Sequence, residues 1–169
     1  SIMSDSDLKQ LNFPQTISDS SIKGIILVEI CDKVVCDALS QFNLPIVSVD
    51  MPNVPFEELN GIDVVTMESK KNLKKIINQL IEKGAESFGF VGDLYSPNVS
   101  RGFQERYNAL SECLAEHQLP LNQKNCLLHQ TPEDFRNFQT TVNNLQAMIS
   151  LPDVFICGND WTAIQLIYA

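Results

Sequence analysis

Short apolar runs and amphipathic helical stretches alternate along this chain almost without exception, and that alternation limits its fold more than any other feature. Gly24-Ile25-Ile26-Leu27-Val28 is a continuous apolar run, the pattern of a strand buried on both faces. A helix is predicted over 31–42, where Val35, Leu39 and Phe42 fall at helical spacing, and strands follow at 46–49 and 63–67. Residues 70–83 form the clearest helix, with Leu73, Ile76, Ile77, Leu80 and Ile81 on one stripe, Ser69 as its N-cap and Gly84 as its stop. Beyond it come a strand at 87–91, a helix fronted by Arg106 that carries Tyr107, Leu110 and Leu114, and a short strand at 126–128. Thr131-Pro132-Glu133-Asp134 opens a helix running through Phe135, Phe138, Val142, Leu145 and Met148. A strand at 153–157 and a helix capped by Asp160 complete the series, and residues 1–4 read as the end of a further strand. Such alternation implies an α/β protein with parallel sheets and helices on their faces. The break at Gly84 to Glu86 separates one complete set from a fresh one, which predicts lobes at 1–84 and 85–169.

The chain has 169 residues and a net charge of −9, which argues against its gripping nucleic acid directly, since phosphate neutralisation needs clustered Lys and Arg. Its only basic cluster, Lys70, Lys71, Lys74 and Lys75, reads as the solvated face of a helix. Five cysteines without paired spacing (Cys31, Cys36, Cys113, Cys126 and Cys157) suit small core fillers in a reducing, cytoplasmic setting. No metal or cofactor is expected, and no membrane-spanning run or signal peptide is predicted. Gly89-Phe90-Val91-Gly92 is not a dinucleotide loop, and neither a nucleophile elbow nor a phosphate loop is present, so an enzyme is not expected.

In α/β folds ligands gather at the carboxyl ends of strands, beside helix N-termini. Arg106 at a helix front offers a fork that can hold two hydroxyls or a carboxylate; alternatively it is a surface arginine paired with Glu105 or Asp93. Asn159, after the strand at 153–157, offers a donor and an acceptor, or serves simply as a turn residue. Asp93 and Tyr95 follow a strand end and either line a cleft or sit on an exposed loop, while Trp161 either stacks on a sugar face or packs on a neighbouring helix.

With these elements in order, the chain resembles the effector-binding domain of the LacI/GalR family of bacterial transcriptional repressors. Residues 24–27 and 44–50 look like its "DGIIL" and "PVVxxD" strands, and 80–92 like its "HLIEKGHxxIGFIGG" crossover. Residues 106–119 look like "RLxGFxxALxEHGI", and 155–164 like "IFCANDxMAIG". Glu68-Ser69 replaces the usual Asp-Asn, Ala109 and Leu110 stand for Gly and Phe, Gln165 stands for Gly, and Pro132 takes the place of a frequent aromatic. The resemblance implies a two-lobed, periplasmic-binding-protein-like fold, with parallel sheets flanked by helices in each lobe. It also implies a small sugar or related metabolite bound in a cleft between the lobes, contacted by Arg106 and Asn159 from one side and by Glu68 and Ser69 from the other. The regulator would be a homodimer that meets operator DNA only through an N-terminal helix-turn-helix outside this chain. A sugar-binding receptor of a transport system, with the same fold, is the alternative.

Overall fold

The computed structural model describes residues 5–94, 100–129, 131, 134 and 137–169. The predicted strand end at 1–4, Tyr95, and the Pro132, Glu133 and Phe135 part of one predicted helix lie outside the described residues. The chain divides into two compact units, Ser1–Met67 with Ser96–Arg101 and Glu68–Tyr95 with Gly102–Ala169.

In the first unit, helix α1 (Asp5–Lys9) precedes strand β1 (Ile25–Val28), helix α2 (Lys33–Ser40), and strands β2 (Ile46–Val49) and β3 (Ile62–Val65). The three strands are parallel in the order β1-β2-β3, with Ile25 opposite Ile46 and Ile46 opposite Ile62. Asp32 caps α2 by accepting from the Val34 amide, and the helix lays Val35, Cys36 and Leu39 into the core with Leu27, Ile46, Met51 and Leu59. Phe13 and Phe42 close one flank edge to face, their centroids 5.7 Å apart. Among the described residues, only one face of this sheet is covered. Ile26 (74% exposed), Val28 (62%) and Val65 (58%) stand on the other, so β1 is not buried on both faces as its apolar run predicted.

The second unit runs through α3 (Lys71–Glu82), β4 (Phe88–Asp93), α4 (Arg101–Glu116), β5 (Leu127–His129), α5 (Phe138–Gln146), β6 (Val154–Cys157) and α6 (Asp160–Tyr168), although the first residue of α4 groups with the first unit. Its parallel sheet has the order β5-β4-β6, so β4 is central and buried along its whole length. Phe88, Phe90, Val91, Leu110 and Leu114 form its core. The helix fronted by Arg106 in the sequence reading begins five residues earlier, at Arg101. The helix predicted from Thr131 to Met148 does not run unbroken: α5 starts with its own cap, Asn137, whose side chain accepts from Gln139 N.

The units also divide earlier than the Gly84 break, at Met67/Glu68, because α3 is tied to α4. Lys74 Nζ lies 3.0 Å from Glu112 and 3.1 Å from Glu116, and His117 Nε2 is 2.7 Å from Asn78 Oδ1. The basic cluster is thus partly an ion-pair network. Gly84 does stop α3, at φ +97°, with its own amide on Ile81 and the Ala85 amide on Leu80.

Candidate functional site

Parallel pairing brings the carboxyl ends of β4, β5 and β6 to one edge of the second unit's sheet. Asp93 ends β4 and is in register with His129 at the end of β5. The two are 3% and 2% exposed, and His129 Nδ1 lies 2.6 Å from Asp93 Oδ1. A carboxylate only accepts, so Nδ1 carries the proton of this bond. Asp93 is therefore buried at the strand end and not an exposed loop residue. His129 is not among the residues that the sequence singles out; its pairing with Asp93 depends on strand register 36 residues apart, which no local pattern records.

β6 leads into a tight turn at the same edge. Gly158 N donates to Val91 O at 2.7 Å, and a Cβ on Gly158 would lie 2.2 Å from the Phe103 ring, so the turn is reserved for glycine by crowding. Its carbonyl accepts from Arg106 Nη1 at 2.8 Å, which fixes the guanidinium from α4 beside the following Asn159. Arg106 and Asn159 are thus brought to one turn. Asn159 is also the N-cap of α6: its Oδ1 accepts from Thr162 N at 2.9 Å, while Thr162 Oγ1 accepts from Asn159 N at 3.1 Å. The cap is not Asp160, as the sequence suggested. Asp160 occupies the first helical position and accepts from Trp161 N at 2.9 Å. Trp161 is about half exposed on that first turn.

Glu68 and Ser69 group with the second unit. The Glu68 carboxylate accepts from the amides of Lys70, Lys71 and Asn72 and so satisfies the first turn of α3. Those amide bonds, that of Lys71 foremost, hold its carboxyl below the ordinary range. The cysteines are all free thiols. Burial pushes Cys31 up to about 12 and Cys36 up to about 11, which leaves neither a ready nucleophile. Among the described residues, no group of three His, Cys, Asp or Glu is placed to hold a metal ion, and no helix is long and apolar enough to cross a membrane.

Residues 77–169, more than half of the chain, match the family described as periplasmic binding protein-like domain. The chain belongs to that family. Catabolite control protein A of Staphylococcus xylosus is 29% identical over 177 residues, covering 100% of this chain and 49% of that protein. The chain thus spans about half the length of the curated relatives it matches. A LacI transcriptional regulator of Bacillus cereus subsp. cytotoxis has the same fold, with a TM-score of 0.74 at 17% identity over 100% of this chain and 57% of that one. A LacI family regulator of Lactobacillus casei, solved with bound glucose, matches with a TM-score of 0.66 at 18% identity over 97% of this chain and 57% of that one. These similarities support the LacI/GalR effector-binding domain that the sequence motifs resemble.

Proposed function

We propose that this chain is the effector-sensing part of a LacI/GalR-type regulator and holds a small sugar or related metabolite at the carboxyl edge of the β5-β4-β6 sheet. The observation that carries the reading is the Arg106 bond to Gly158 O, which sets a guanidinium beside the Asn159 amide at the edge where Asp93 and His129 also lie. A guanidinium, a carboxamide and a carboxylate together supply the donors and acceptors that hydroxyl groups need. The glucose bound by the Lactobacillus casei regulator agrees with this ligand class. Trp161 adds an apolar face on the same turn. Glu68 and Ser69 are secondary candidates, since the Glu68 carboxylate already satisfies the first turn of α3. In the full-length regulator, a cytoplasmic homodimer, effector occupancy changes the operator affinity of a separate helix-turn-helix domain, a coupling between two sites.

Calorimetry of the full-length protein against a sugar panel, with operator binding followed by fluorescence anisotropy, tests this. At least one sugar is expected to bind and to shift operator affinity, and Arg106→Ala to weaken that sugar about tenfold or more through loss of a charge-assisted hydrogen bond. Sugar binding that is indifferent to Arg106→Ala would remove the site, and no binding at all would remove the function.

A further inference from the structure

Asn60 is the one asparagine in the chain that a glycine follows. The pair forms the tip of a tight turn between the buried Leu59 and the start of β3, closed by the Ile62 amide on Leu59 O at 3.2 Å. Gly61 takes φ +74°, the left-handed value that the third residue of a type II turn requires. Both residues are exposed, and nothing lies within 4 Å of the space that a Gly61 side chain would fill. Among the described residues, the Gly61 amide donates no hydrogen bond and the Asn60 carboxamide makes none. Asn122, Asn137 and Asn159, by contrast, commit their side chains to helix starts, each accepting from an amide of the helix it caps.

At Asn60 a carboxamide free to turn on its own backbone meets a nitrogen that no neighbouring Cβ shields, and asparagine is among the thermolabile residues. The Gly61 nitrogen, giving up its proton, attacks Asn60 Cγ. The new N–C bond closes a cyclic imide, the Cγ–Nδ2 bond breaks, and the amide group leaves as ammonia with the released proton. Water then opens the ring at either carbonyl, giving aspartate or isoaspartate. The balance is one water in and one ammonia out, with no oxidant or cofactor. Either product adds a negative charge to the turn. Isoaspartate also adds a carbon to the main chain shortly before Ile62, which pairs with Ile46.

We infer that Asn60-Gly61 is a modification site, at which the folded protein deamidates through a succinimide without an enzyme. The inference is independent of the effector reading. The test incubates the full-length protein at mildly alkaline pH, beside a synthetic peptide of residues 57–65, and maps the digests by mass spectrometry. The segment carrying Asn60 is expected to gain about one dalton and to split into aspartate and isoaspartate forms, at least about tenfold faster than any other asparagine of this chain. Asn60→Gln, which changes an exposed side chain, is expected to abolish the conversion, and Gly61→Ala to slow it at least about tenfold. Asn60 that stays intact in the folded protein while the peptide converts overturns the inference. So does a rate that Gly61→Ala leaves unchanged, or one that another asparagine of this chain matches.

Discussion

Glu68 shows how one carboxylate can be read in two ways. Its motif position suggests ligand contact, yet its oxygens accept three amides at the start of α3. Because those bonds favour the ionised form, its folded pKa lies below the unfolded value. The stabilisation is then complete above the unfolded pKa and disappears as pH falls through the lowered folded one. Glu68→Ala should therefore melt below the parent at neutral pH, with the gap closing as the pH falls through the lowered folded pKa. Thermal melts of both proteins across that range check this; a gap that does not change with pH would show that the carboxylate's charge is not what holds the helix start. Asp153 follows the same rule, with the Ser87 hydroxyl and the amides of Glu86 and Ser87 lowering its pKa where β6 begins beside β4.

At the scale of elements, the β6–α6 turn matters most, because one glycine serves both packing and the site. The Gly158 amide lies on Val91, its carbonyl holds Arg106, and its missing side chain leaves room for Phe103. Adding a methyl group forces the Phe103 ring or the turn to move. Gly158→Ala is expected to cost about 1–3 kcal/mol, as overpacking usually does, and to weaken sugar binding because the anchor of Arg106 shifts with the turn. Urea unfolding paired with calorimetry separates the two effects, and an unchanged midpoint would show that the space around Phe103 is slack.

In this 169-residue polypeptide, the described residues leave one face of the β1-β2-β3 sheet open. Parallel sheets are normally covered on both sides, and contiguous exposed apolar patches promote association. Ile26, Val28, Val49 and Val65 form such a patch on three adjacent strands. The 169-residue polypeptide alone is expected to bind a hydrophobic dye and to self-associate as its concentration rises. Ile26→Thr, Val28→Thr and Val65→Thr together should suppress both while keeping stability within about 0.5 kcal/mol, because β-branching is retained and no buried contact is lost. Dye fluorescence and sedimentation provide the measurement; a destabilised triple variant would mean that the face is already packed.

The order of strands and helices, the stop at Gly84 and the position of Arg106 and Asn159 on two βα units were all legible in the chain, because periodicity and turn chemistry act over a few residues. Neighbouring candidates were harder to separate: Asn159 and Asp160 are equally able to cap on composition, and the extended backbone at Asn159 chooses between them. The Asp93–His129 pair, the Arg106 bond to Gly158, the grouping of α3 with the second unit and the uncovered face of the first sheet lay beyond any local pattern. Each depends on which distant segments meet and in what register. That outcome belongs to packing, which is non-directional and is settled by the whole chain at once.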